Sequence, residues 1–201
     1  MMRLVALHDR LFAALERAAE PWLLGLLARL VFAAVLFGYY WNSALTKVGE
    51  GVAGFFAIQP GAYFQIVPPA IEAAGYDPSA VAFLPWGLIV VLGTYAEFLL
   101  PLLIVAGLAT RLAALGMIGF VLVQSYVDIA FHGADAATVG ALFDRASNAA
   151  ILDQRALWLF LLAYLVVKGA GLVSLDALLA RRVAAAPGPR AAATGAALLA
   201  A

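Results

Sequence analysis

Arg29, Glu97 and Lys168 are the residues whose type and setting could do chemistry, because each interrupts a long apolar run. An ionisable side chain inside a bilayer costs several kcal/mol unless it is paired or hydrated, so such positions are functional sites by default. Arg29 lies about seven residues, roughly 10 Å of helix, from the start of its run, and Lys168 at similar depth from the end of its own. Both are long enough to snorkel back to the interface. Glu97 is about midway between Trp86 and Arg111, and its side chain is short. It is therefore protonated or paired, with Arg29 or Lys168 the expected partner across the bundle. Two kinds of role follow: an ion pair that holds helices together, or an intramembrane polar site for a proton or a small polar ligand. The residue types leave both open.

Spacing adds further candidates. Arg29, Ala33, Leu36, Tyr40, Ser43 and Lys47 fall on one helical stripe, so if the first helix continues past Trp41 both cations face the same way. Trp86, Val90, Thr94, Glu97, Pro101 and Leu108 share a second stripe, and Gln154, Leu157, Leu161, Tyr164 and Lys168 a third. Pro101 has no N–H to give the carbonyl four residues earlier, which is that of Glu97 itself. Tyr40, Trp41, Lys47, Thr94 and Tyr164 are accordingly the candidate ligand-binding positions. Tyr39, Tyr40, Trp41, Asn42, Gln124 and Tyr126 also cluster at span ends, where they suit either an aromatic ligand or a plain interfacial belt. Asp128 and His132 have the i, i+4 spacing of a hydrogen-bonded pair or of an ordinary wet helix end. No metal site is expected: His8 and His132 belong on opposite sides of the membrane, which also excludes a bis-histidine haem. Phosphate loops, nucleophile elbows and zinc motifs are missing from the sequence.

The elements that position these residues follow from composition. Of 201 residues, 66% are hydrophobic and 12% charged, and the mean hydropathy is +1.00. An ordinary soluble domain is roughly half apolar and a quarter charged. That profile excludes a cytosolic enzyme, a nucleic-acid binder and a disordered chain, and makes membrane lipid the main partner. Cysteine is absent, which removes disulfides and thiolate chemistry. A bilayer core of roughly 30 Å needs about 20 apolar residues in a helix. Four such spans are expected, over about 23–42, 86–109, 111–129 and 155–173. The fold class is all-α, an integral membrane four-helix bundle occupying 21–183.

Basic residues set the expected orientation. Arg3, Arg10, Arg17, Arg111, Arg181, Arg182 and Arg190 fall on the face of the termini, against Lys47, Arg145 and Arg155 on the other. Basic residues favour the cytoplasmic side, so both termini are expected inside, in a multi-pass protein of the bacterial inner membrane. Residues 1–20 read as an amphipathic helix on the cytoplasmic surface, with Leu4, Leu11, Phe12 and Leu15 on one face. Outer loops 47–85 and 128–154 are expected to carry short helices packed over the bundle, one of them from Ala136 to Phe143, and together to form a lid. The tail 184–201, rich in Ala, Pro and Gly, is expected to be disordered.

Two segments also carry a resemblance. Gly93 to Ala114, GTYAEFLLPLLIVAGLATRLAA, resembles the hallmark of the DoxX family, a buried glutamate followed by a GL-x-T-R-x-A-A turn between the second and third helices. Arg29 and Lys47 match the arginine and terminal lysine of that family's first helix, and KGAGLVSLDALLARR, Lys168 to Arg182, is similar to its C-terminal element. Pro101 stands where a glycine is more usual, and the first outer loop is longer than in compact members. The resemblance implies a four-helix inner-membrane protein, with a link to quinone-dependent oxidoreductase systems. The leading expectation is an accessory or ligand-binding subunit of a redox-linked membrane system. Its cofactor would be a quinone and its partner a soluble or membrane redox protein. The alternatives are a small proton-coupled transporter using Glu97, and a membrane scaffold for a soluble enzyme.

Overall fold

The computed structural model describes residues 1–185. The chain forms α1 (Met2–Ala19), then α2 (Leu23–Leu45), the short helices α3 (Gly51–Gly54), α4 (Gly61–Ile66) and α5 (Pro68–Ala73), α6 (Phe83–Ala106), α7 (Thr110–Ala130), the single turn α8 (Ala136–Val139), α9 (Ala150–Lys168) and α10 (Leu175–Ala185). Among the described residues the only strand-like pairing is an isolated bridge between Val48 and Ile58. Helices α2, α6, α7 and α9 are each long and apolar enough to cross a membrane. This is a multi-pass membrane protein of the all-α, four-helix class. The fourth span starts and ends about five residues earlier than expected: a π-helical turn at Ala150–Gln154 opens it, and Gly169 (φ +80°) stops it.

Lipid solvates the outside of such a bundle, so packing inside it depends on close van der Waals approach rather than on escape from water. Phe32, Leu36 and Tyr40 of α2 meet Ile104 of α6, Ala113, Ala114, Met117 and Val121 of α7, and Leu162 and Leu165 of α9 in one buried cluster. Small residues bring the backbones together: a Cβ on Gly25 would lie 2.7 Å from the backbone of Ala170. Leu30, Val35, Leu99, Leu115, Leu122 and Phe160 point outward. In α2 a π-helical turn at Ala33–Phe37 adds a residue to the stripe, so the buried positions Phe32, Leu36, Tyr40 and Ala44 recur every four residues. Lys47 then lies two residues beyond the end of α2, in the turn that follows it.

Arg29 organises one end of the bundle. Its guanidinium donates to the carbonyls of Ile104 (3.0 Å) and Val105 (2.6 Å) at the end of α6, and to those of Val173 (2.5 Å) and Ala170 (3.5 Å) after α9. The last carbonyls of a helix have no partner within it, and a planar fork of donors suits them. Beside it, Gly107 (φ +69°) ends α6, and the carboxylate of Asp176 accepts from the backbone N–H groups of Ala109 (2.7 Å) and Thr110 (3.0 Å) that open α7. We call this the clamp end, and the opposite end the loop end.

At the loop end Ala62 of α4, Val67 in the link that follows and Ala70 of α5 pack with Val90 of α6, and Phe55 and Ile58 pack with Ala44, Val48 and Phe98. The first outer loop therefore carries packed short helices, as its apolar content requires. The helix expected from Ala136 to Phe143 stops at Val139, because Gly140 adopts φ +74°. Helix α1 has no buried residue and leaves Leu4, Leu7, Leu11 and Leu15 exposed. Helix α10 extends to Ala185; the remainder of the tail expected to be disordered lies outside the described residues.

Candidate functional site

Glu97 is buried on α6, and the partner it meets is Lys47. The Lys47 ammonium donates to Glu97 Oε2 (2.8 Å), to the Ser43 hydroxyl (2.8 Å) and to the Ser43 carbonyl (3.0 Å). The last of these bonds joins that of the Thr46 hydroxyl (2.7 Å) on the same carbonyl at the end of α2, where a cation suits the helix dipole. Lys47 and Glu97 are 2% and 5% exposed, so the pair is shut away from bulk water. The expected partners are elsewhere. Arg29 is consumed by carbonyls at the clamp end, and Lys168 pairs with Glu20 in an exposed contact outside the bundle. The intramembrane set therefore divides into a site residue, Glu97, a structural clamp, Arg29, and an interfacial cation, Lys168. The reason is geometric: α2 continues three residues beyond its expected end and so delivers Lys47 to the level of Glu97.

A cavity of about 670 Å³ opens beside this pair between α2, α6 and α7, within the size range of small-molecule sites. Its body is apolar, formed by Ile89, Leu92, Leu100, Phe120 and Val123, with Gly93, Gly116 and Gly119 leaving the space. A Cβ on Gly119 would meet nothing within 4 Å, whereas one on Gly116 would press on Leu100 at 3.1 Å. Its mouth is polar: Tyr39, Ser43, Lys47, Gln65, Glu97, Gln124, Asp128 and His132. Leu92 and Val123 line it and are 61% and 63% exposed on the surfaces of spanning helices, so the cavity opens sideways toward hydrocarbon.

The mouth is held by hydrogen bonds between elements. Gln124 donates to the Tyr39 hydroxyl (2.8 Å) and accepts from that of Tyr40 (3.3 Å). Asp128 accepts from Arg155 (2.5 Å), which also donates to Ser125 (2.9 Å) and lies over the Trp158 ring at 5.9 Å. His132 Nε2 is 3.1 Å from the carbonyl of Gln65 on α4, tying the second outer loop to the first across the opening. Asp128 and His132 are therefore not bonded to each other, although both line the cavity.

Of the candidate ligand-binding residues, Lys47 lines the cavity and Tyr40 reaches it through Gln124. Trp41 does not line it and packs edge-on to Phe98 with centroids 5.0 Å apart. Thr94 is fully buried one turn from Glu97, with its hydroxyl lacking a partner. Tyr164 packs against the bundle core from α9. Ser43, Gln65 and the cavity glycines were not anticipated. Ser43 shares the stripe of Lys47, and Gly116 and Gly119 are one turn apart on α7, which are the signals that point to them. Among the described residues no three His, Cys, Asp or Glu side chains gather as a metal site. No protein-family model, curated protein or solved structure matches the chain.

Proposed function

We propose that this is a DoxX-like protein of the bacterial inner membrane, with both termini cytoplasmic, that binds a quinone-like ligand as an accessory subunit of a redox-linked membrane system. The observation that carries this reading is the cavity: an apolar body, a lateral opening to hydrocarbon and a polar mouth at Lys47 and Glu97. A ligand with a flat polar head and a lipid-soluble body matches all three features. Such a ligand partitions into the bilayer, enters between α6 and α7, and places its head where Glu97, Gln124 and Asp128 offer hydrogen bonds. The orientation rests on the basic residues gathered at the clamp end and the adjoining α1 and α10, Arg3, Arg10, Arg17, Arg111, Arg181 and Arg182.

Proton-coupled transport through Glu97 would need a route onward to the clamp end. There the layer of Leu36, Ile104, Met117, Leu162 and Leu165 is fully packed, which favours a binding pocket over a path. The test uses purified protein in nanodiscs titrated with a short-chain quinone. The wild-type protein should show saturable binding and a raised Tm. Gly119→Leu, which fills the cavity from a position where a Cβ meets no protein atom, should abolish both while melting no lower. Quinone binding that is absent, or indifferent to Gly119→Leu, would refute the reading.

A further inference from the structure

The hydrogen-bonding inventory of the cavity discriminates between the two oxidation forms of such a ligand, an inference that rests on the reading just given. Lys47 has three N–H donors and spends all three inside the protein, on Glu97 and twice on Ser43. Arg155 donates to Ser125 and Asp128, keeps a buried Nε–H without a partner, and does not line the cavity. Among the described residues, Lys47, the cation that lines the cavity, is thus committed before a ligand arrives. The acceptors are not. A carboxylate has about four acceptor sites; at Glu97 Lys47 takes one, and the adjacent Ser43 hydroxyl can turn its proton to a second. Asp128 accepts through Oδ2 only, leaving Oδ1 uncovered. His132 faces the carbonyl of Gln65 through Nε2; since a carbonyl only accepts, the Nε2–H is the donor and is committed too. The uncommitted donors, on Tyr39, Gln124 and Gln65, are neutral.

We propose that the site takes the reduced, dihydroxy form of a quinone-like ligand, whose phenolic hydroxyls donate, in preference to the dicarbonyl form, which can only accept. Hydrogen bonds to ionised carboxylates are roughly twice as strong as those between neutral groups. Two such acceptors await a donor at the mouth, whereas a carbonyl ligand would have to dislodge Lys47 from Glu97 or settle for neutral donors.

The experiment compares three ligands of matched size with the protein in nanodiscs under anaerobic conditions: a short-chain hydroquinone, the corresponding quinone, and the hydroquinone dimethyl ether, which keeps the ring but has no donor. The hydroquinone should bind at least tenfold more tightly than the quinone, and the ether no more tightly than the quinone. Gly119→Leu should lose all three. Glu97→Gln, which replaces acceptor sites with an N–H₂ group, should narrow or reverse the preference; the ligand series decides the matter even where that variant fails to fold. Quinone binding as tight as hydroquinone, or ether binding equal to hydroquinone, with both lost in Gly119→Leu, would overturn the preference and leave the cavity reading intact. Failure of every ligand to bind, or binding unaffected by Gly119→Leu, would overturn both.

Discussion

Lys47 and Glu97 neutralise each other in a setting where either alone would be a buried charge. Removing one partner of such a pair costs about 3–5 kcal/mol, whereas replacing both with apolar or neutral groups of similar shape is often close to neutral. Lys47→Met alone should therefore lower the midpoint of unfolding in mild detergent strongly, and Lys47→Met with Glu97→Gln should recover most of the loss. Equal losses in the single and double variants would mean that packing around Lys47, not its charge, is what matters. The exposed loop carboxylates give a separate residue-scale prediction. Hydrogen bonds from Ser79 hold Asp77 below its ordinary pKa, and those from Thr138 do the same for Asp135. A depressed carboxylate contributes stability that is present above its unfolded pKa and is lost as pH falls through the lower folded value. Exchange of the Ser79 and Thr138 amides should thus gain protection over that window as pH rises, beyond the intrinsic rate change. Asp77→Asn, which caps without titrating, should flatten the profile at Ser79.

Helix ends and glycines define the element scale. At the clamp end one guanidinium serves four carbonyls from two segments. A lysine cannot reproduce that fork, and each buried carbonyl left unpaired costs about 1–3 kcal/mol. Arg29→Lys should consequently destabilise the bundle by roughly 2 kcal/mol or more, read as a lower thermal midpoint, with the affinity of any protein that remains folded unchanged. Gly107 and Gly119 make a contrasting pair. At Gly107 φ is +69°, and a Cβ would lie 2.7 Å from the Ser174 Cβ and 2.8 Å from the Arg29 guanidinium carbon. At Gly119, inside α7, a Cβ meets nothing. Gly107→Ala should cost at least the roughly 1–2 kcal/mol of a left-handed non-glycine residue. Gly119→Ala should be neutral or stabilising by about 0.5–1 kcal/mol from helix propensity. Thermal melts of the two variants side by side check both.

Across the whole molecule, the proposed orientation makes a prediction that the cysteine-free sequence is suited to test. Thr138→Cys is in the second outer loop, and Arg182→Cys is in α10 beyond the clamp end. In intact cells a membrane-impermeant maleimide should label the first and not the second, and permeabilisation should expose both. The reverse pattern would invert the proposed orientation. The exposed apolar face of α1, which buries nothing against the bundle, is the face that the proposed arrangement would lay on the membrane surface.

Much of this architecture is legible in the order of residues. Four apolar runs of membrane-spanning length and the apolar content of the first outer loop are local properties, and local properties determine helices. The same holds for the presence of a buried carboxylate at Glu97, since its short side chain cannot reach water from mid-span. Its partner was not legible. Pairing depends on the height at which each side chain sits in the bundle, and that depends on a π-helical turn in α2 and three additional residues at its end, neither of which hydropathy reveals. Arg29, Lys47 and Lys168 are each a cation in or beside an apolar run, and the sequence does not say which of them meets Glu97. Only packing assigns one to helix-end carbonyls, one to Glu97 and one to the surface, because packing sets which acceptors lie within reach of each side chain. The cavity is likewise a tertiary result: it is the volume left where Gly93, Gly116 and Gly119 keep α6 and α7 from filling the space between them, and no single segment contains it.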